Sequence, residues 1–236
     1  KEAVQVLQGH FVSKEAEYQK YCQIDILEND PAGMIKRLQS YTERLTHIPF
    51  YTQVEDIIKL GIARYKEKYL PGIKSEDPFV LYEKYSRRDV SLLMNCGKDL
   101  SSIMYGMKRI ENDVFIFITY HKEESQDEKN YVDGKPDYAD AFEDNLIFKW
   151  DSQIGKGLDS SYMKDVLGAD RKHLFVKKSD AENSFYYMGQ FDVLEARNAQ
   201  KEDNRGRMQP ITKVTMKMHH AVREDLLRYL QSHITA

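Results

Sequence analysis

The spacing of apolar positions changes character about a third of the way along the chain. In the first 70 residues it is helical. Met34, Ile35, Leu38, Tyr41 and Leu45 recur at helical intervals behind Asp30-Pro31. That pair suits a helix start, because Asp caps free amides and Pro has no N–H to leave unpaired there. Val54, Ile57, Ile58, Ile62 and Tyr65 form a second stripe behind Thr52-Gln53-Val54-Glu55, the reciprocal capping pattern of a helix N-terminus. This helix is expected to stop near Leu70-Pro71-Gly72. Residues 71–78, with two prolines, a glycine and several charges, read as a linker. Ser86-Arg87-Arg88-Asp89 then opens a short helix through Leu93.

Beyond that point the period becomes that of strands. Asp113 to His121 is rich in β-branched and aromatic residues and predicts a strand buried on both faces. Asn145 to Trp150, His173 to Lys177, Ser184 to Leu194 and Ile211 to His219 predict further strands. In the last of these Val214, Met216 and Met218 alternate with Lys213, Thr215 and Lys217, so one face is apolar. A closing helix is expected from about Ala221 to Gln231. The pattern predicts an α+β protein: a helical domain over 1–78, then a mixed, mostly antiparallel β-barrel with flanking helices over 79–236.

With 236 residues the chain has room for one large domain or two small ones. It begins at Lys1, without an initiator Met or a signal-like apolar run, and is expected to be a piece of a longer protein. No stretch has the roughly 18 consecutive apolar residues of a membrane span, so no membrane partner is expected. The two cysteines, Cys22 and Cys96, lack metal-type spacing and suggest a reducing, cytoplasmic setting. The net charge of −3 excludes a globally basic nucleic-acid binder. Its distribution is uneven: 11 acidic and 3 basic residues lie between Glu111 and Asp144, against 10 acidic and 13 basic between Lys164 and Arg228. The second region can present a phosphate-facing surface if the fold gathers its cations; a solvated mixed-charge surface fits as well.

Catalytic motifs are missing. The sequence has no phosphate-binding glycine loop, no His-x-Lys phosphodiesterase motif with a downstream Asn, and no nucleophile elbow. Asp140, Glu143, Asp144 and Lys149 come nearest to a metal-dependent nuclease centre, without the Glu-x-Lys strand pairing such a centre needs. No cofactor or metal site is expected in this chain.

Aromatic and polar groups, by contrast, are dense from Thr119 to Gln153. Tyr120, His121, Tyr138, Asp140, Trp150, Ser152 and Gln153 combine ring faces with carboxylate, amide and hydroxyl groups. A pocket for an extruded base needs those types: rings stack on the base and polar groups read its edge. Each also has a plainer reading, with Trp150 in a core, Tyr120 at a strand end, Asp140 as a surface or capping acid, and Ser152-Gln153 in a turn. Lys156, between Gly155 and Gly157, can approach a phosphate backbone closely. Lys122, Lys201, Arg205 and Arg207 are further candidates for backbone contacts, with a disordered hairpin tip as the alternative for Arg205-Gly206-Arg207.

Six pieces in order carry a family resemblance: Tyr85-Ser86-Arg87-Arg88-Asp89-Val90; Phe117 to Lys122; Tyr138-x-Asp140-x-Phe142; Phe148-x-Trp150-x-Ser152-Gln153; Leu174 to Lys178; and Phe185 to Gly189. Over about 79–230 the chain resembles the C-terminal domain of uncharacterised function that follows superfamily 2 helicases carrying a phospholipase-D-type nuclease. The resemblance implies a helical coupler and an SRA-like reader of 5-methylcytosine in duplex DNA, the target-recognition part of an ATP-dependent Type IV restriction enzyme. The parent chain would supply nuclease and ATPase domains, with ATP and Mg, and this fragment no catalysis. The alternative is a protein-interaction or motor-coupling module that reads no bases.

Overall fold

The computed structural model describes residues 26–29, 34–69, 78–94, 96, 99–121, 131–132, 135–136, 140–203 and 205–232. The chain separates into two compact units, residues 1–80 with 87–102, and residues 81–86 with 103–236.

The first unit holds strands β1 (Leu27–Asn29) and β2 (Ile35–Arg37), helices α1 (Gln39–Arg44) and α2 (Ile48–Tyr69), and a short helix α3 (Arg87–Leu93). It is thus not purely helical. Ile35, expected on a helix, lies in a strand that pairs antiparallel with β1, Asn29 opposite Ile35 and Leu27 opposite Arg37. Asp30-Pro31, expected to start a helix, lies outside the described residues. The long helix α2 matches the apolar stripe but starts earlier than Thr52, at Ile48-Pro49, where proline suits a first turn. Ile57, Ile58, Ile62 and Tyr65 of that stripe are half or more exposed. The expected linker, 71–78, falls outside the described residues apart from Pro78.

The second unit is a sheet with helices against it. Its strands are β3 (Lys84–Tyr85), β4 (Met107–Ile110), β5 (Asp113–His121), β6 (Tyr131–Val132), β7 (Lys135–Pro136), β8 (Ala141–Phe142), β9 (Ile147–Asp151), β10 (Arg171–Ser179), β11 (Phe185–Glu202) and β12 (Met208–Met218). Helices α4 (Ser161–Leu167) and α5 (Glu224–Gln231) complete it. The hydrogen-bonded path runs β4-β5-β10-β11-β12-β9-β8, with β3 beside the start of β11 and the β6–β7 pair separate. Only β5 and β10 pair parallel in this path; its other pairs are antiparallel. The path has two ends, so the expected barrel does not close.

What joins its halves is β11. Phe185 to Gln190 pair with β3 or β10, whereas Phe191 to Glu202 pair with β12. The change of partner falls between Gln190 and Phe191, just after Gly189, whose φ of +103° favours glycine. The β10–β11 register also slips there, between Leu174 and Phe175. In the core Ile116, Ile118, Phe148, Trp150, Val176, Met188, Val214 and Met216 pack with Met163 and Val166 of α4 and Leu226 and Leu230 of α5. The predicted alternation on β12 holds, with Val214, Met216 and Met218 each at most 2% exposed.

Candidate functional site

Two features meet at the loop Ser152–Ser160, which links β9 to α4. The first is a groove between this loop and the β11–β12 hairpin. It has a volume near 630 Å³ and is lined by Gly155, Gly157, Leu158, Asp159, Ser160, Asn198, Ala199, Gln200 and Pro210. The loop is tied to the hairpin by backbone amides: Gly155 N–H donates to the Pro210 carbonyl (2.9 Å) and Leu158 N–H to Asn198 Oδ1 (2.8 Å). At Gly157 any side chain would meet Pro210 Cβ at 3.3 Å, so the loop lies close against the strand. Lys156 sits within the loop, Lys201 follows Gln200, and the hairpin tip carries Arg205 and Arg207. Lys201, Arg205 and Arg207 are exposed.

The second feature lies under the same loop. Alternation on β9 turns Phe148 and Trp150 to the interior. The Ser160 hydroxyl accepts the Met163 N–H and starts α4, which brings Tyr162 to the indole of Trp150, centroids 6.3 Å apart. Lys156 Nζ stands 5.9 Å from the Tyr162 ring centroid. Asp140 is buried and its Oδ1 accepts the Asp151 N–H at 2.9 Å. Gln153 is exposed and its Nε2 donates to the Tyr105 carbonyl at 3.4 Å. Gly106, at φ +73°, packs closely here: a Cβ there would fall 2.5 Å from Gln153 Nε2 and 3.5 Å from the Tyr162 hydroxyl oxygen.

The Tyr162 hydroxyl is buried and has no hydrogen-bond partner among the described residues. Burial, and then the negative charge of Asp140, hold its pKa well above the ordinary tyrosine value, so it stays a donor. A buried hydroxyl left unpaired costs roughly 1–3 kcal/mol, and folded proteins rarely keep one. Burial, followed by the charges of Lys213 and Asp140, acts on Asp151, whose net shift is upward. Lys213 Nζ lies 3.5 Å from that carboxylate.

The expected pocket residues therefore divide. Trp150 is a core residue, 3% exposed with its indole beside Tyr162, while Asp140 is buried on the Asp151 amide and Gln153 is exposed on the Tyr105 carbonyl. Tyr120 packs in the core, and burial raises its pKa against hydrogen bonds to the Phe142 backbone and the Gln231 side chain. His121 is buried at the end of β5 with Nε2 2.7 Å from the Leu230 carbonyl. Ser152 is a loop clamp: its hydroxyl donates to the Lys156 carbonyl (2.7 Å) and accepts the Thr212 N–H (2.8 Å). Tyr138 and Lys122 lie outside the described residues. The carboxylates nearest to a nuclease pattern are engaged otherwise. Glu143 pairs with Lys149 at 3.3 Å, and Asp144 Oδ1 accepts the Leu146 and Ile147 N–H groups. Sequence reasoning missed Tyr162, although Ser160 ahead of Met163 and Val166 is a readable helix start that places it. It also missed Tyr105 and Ile154, apolar side chains 64% and 43% exposed beside Gln153.

A family model described as a domain of unknown function, DUF3427, matches residues 79–230. No curated protein matches the chain. Among solved structures, one of the MspJI restriction endonuclease in complex with a 27-mer oligonucleotide is similar at 10% identity and a TM-score of 0.29, covering 50% of this chain and 37% of that one. The sulfur-binding and SRA domains of ScoMcrA complexed with phosphorothioated DNA are similar at 10% identity and a TM-score of 0.32, covering 65% and 45%. This chain spans less than half the length of either, and at these scores neither likeness carries an argument about what it binds.

Proposed function

The chain belongs to the DUF3427 family, and from that premise we propose that its sheet unit is a DNA target-recognition module. The observation that carries the reading is the groove between the glycine loop and the hairpin, with Lys156, Lys201 and Arg205 at hand for phosphates. Glycines let backbone amides approach a strand, and lysines and arginines give sequence-independent affinity that falls with salt.

In this reading the duplex lies along the groove and a modified cytosine turns out of the stack toward Asp140, Trp150 and Gln153. Ile154, exposed at the loop tip beside Gly155, is the apolar group suited to enter the vacated base step. Asp140 accepts from the cytosine amino group. The 5-methyl group adds roughly 1 kcal/mol by burial, so unmodified DNA still binds, more weakly. The module contributes recognition and no cleavage to a longer, ATP-dependent Type IV restriction enzyme, and residues 1–78 couple binding to its motor.

A second reading, a protein-interaction module that touches no bases, is favoured by the exposed apolar stripe of α2. The double variant Lys156→Glu, Lys201→Glu separates the two. The DNA reading expects duplex affinity to fall by more than about tenfold, given loss of two phosphate contacts and two added repulsions. Unchanged affinity, or cutting of DNA by this chain with Mg²⁺ alone, contradicts it.

A further inference from the structure

We propose that α2 pairs antiparallel with the α2 of a second copy of this chain. The inference stands apart from the DNA-recognition reading and gives the exposed stripe of α2 an occupant. Tyr51, Glu55, Ile58, Ile62 and Tyr65 follow one another at alternating helical intervals of four and three residues. That spacing lays one seam along a helix for a helical partner. Ile58 and Ile62, in the middle of the seam, are 55% and 50% exposed, and every residue from 56 to 67 is exposed. Helices in proteins draw most of their stability from packing of an apolar face, and a row of exposed large apolar side chains marks an interaction surface. Gly61 borders the seam, and an added Cβ there would meet nothing within 4 Å. Glycine inside a helix costs stability, and the packing of this chain does not require one here; close approach of a second backbone does.

The charges select the occupant and its direction. Glu55 and Lys66 are about three turns apart and flank the seam on the same side. The ion pair of Glu55 with Lys59, at 3.2 Å, holds the carboxylate on that side. Let a second α2 lie antiparallel, with the twofold axis beside residue 60. Ile58 then faces Ile62 of the second copy, and Glu55 stands level with Lys66 of the second copy. Symmetry repeats both contacts, as an interface between identical faces requires. A parallel pair instead sets Glu55 beside Glu55 and Lys66 beside Lys66, which like-charge repulsion disfavours. The face is thus complementary to itself in the antiparallel sense.

The full chain should be sedimented at concentrations from about 1 to 100 μM. Wild type is expected to pass from monomer to dimer across that range. Ile58→Asp is expected to stay monomeric, with the helix content of wild type by circular dichroism. Glu55→Lys and Lys66→Glu are each expected to weaken dimerisation at least about tenfold, and together to restore it to within about threefold of wild type. A wild-type chain that stays monomeric overturns the inference. A dimer indifferent to Ile58→Asp also overturns it, by placing the interface elsewhere. So does a double variant as weak as the single ones, which leaves no antiparallel ion pair. Should Ile58→Asp lose helix, the charge exchange decides alone.

Discussion

Asp203 clasps Arg207: its Oδ2 lies 3.0 Å from Nε and 2.9 Å from Nη2 of the guanidinium, while Oδ1 accepts the Arg205 and Arg207 backbone amides. The tip of the β11–β12 hairpin is therefore held by one carboxylate, and Arg207 is partly neutralised by it. Arg205 has no such carboxylate partner among the described residues. Arg205→Ala is expected to weaken binding to modified and unmodified duplexes equally and to reduce the salt slope by about one unit. Asp203→Asn, which releases Arg207 and removes a negative charge, is expected to strengthen binding to both. Anisotropy titrations across a salt series check the two signs.

Trp150 is 3% exposed among Phe148, Val214 and α4. Trp150→Ala is expected to destabilise the sheet unit by roughly 3–5 kcal/mol through the cavity left behind, measured by denaturant unfolding. Trp150 is thus a core residue, with the Tyr162 ring 6.3 Å from its indole.

Gly189→Ala tests the glycine beside which β11 changes partner. A Cβ at φ +103° is strained and would stand 2.9 Å from Leu81 Cδ2. A loss of roughly 1–3 kcal/mol is expected for the backbone strain, with the unfolding midpoint as the readout. A neutral effect would mean that β11 does not need this conformation to change partners.

Glu182 ties three elements together. Its carboxylate accepts from the Tyr229 hydroxyl (2.7 Å), Lys84 Nζ (3.1 Å) and the Lys178 N–H (3.1 Å). Burial raises its pKa, but these bonds outweigh it and the net shift is downward from 4.5. A lowered folded value means that its stabilisation is complete above about pH 4.5 and is lost as the pH falls through the folded pKa. Glu182→Gln is therefore expected to lower stability near neutrality and to flatten its decline in acid. Unfolding midpoints from pH 7 down to about 3 show whether the two curves converge.

Strands were legible where burial set the pattern. The expected bounds of β5, Asp113 to His121, are those found, because its two faces are covered and every residue but Thr119 is buried. β11 was expected to end at Leu194 but runs on to Glu202. The extra residues, Glu195-Ala-Arg-Asn-Ala-Gln-Lys-Glu202, form a hairpin arm with few apolar positions, so no period of two was visible. Barrel closure was not legible either, because it depends on whether edge strands meet and not on any one strand's pattern. Of the residues expected at a base pocket, Trp150 lies in the core, Asp140 is buried on the Asp151 amide and Gln153 is exposed. Tyr120 and His121 are buried as well, an outcome set by which face of β5 and which end of α5 they meet. The burial of the Tyr162 hydroxyl was not legible, because it depends on how α4 meets β9 and not on local sequence.

The most direct measurement is the affinity of the full chain for two matched duplexes, with and without one 5-methylcytosine, at salt concentrations from about 50 to 200 mM. The account predicts that both bind, that both weaken steeply with salt, and that the methylated duplex binds roughly fivefold more tightly, from burial of one methyl group. Absent binding, affinity indifferent to salt, or equal affinity for the two duplexes would contradict it.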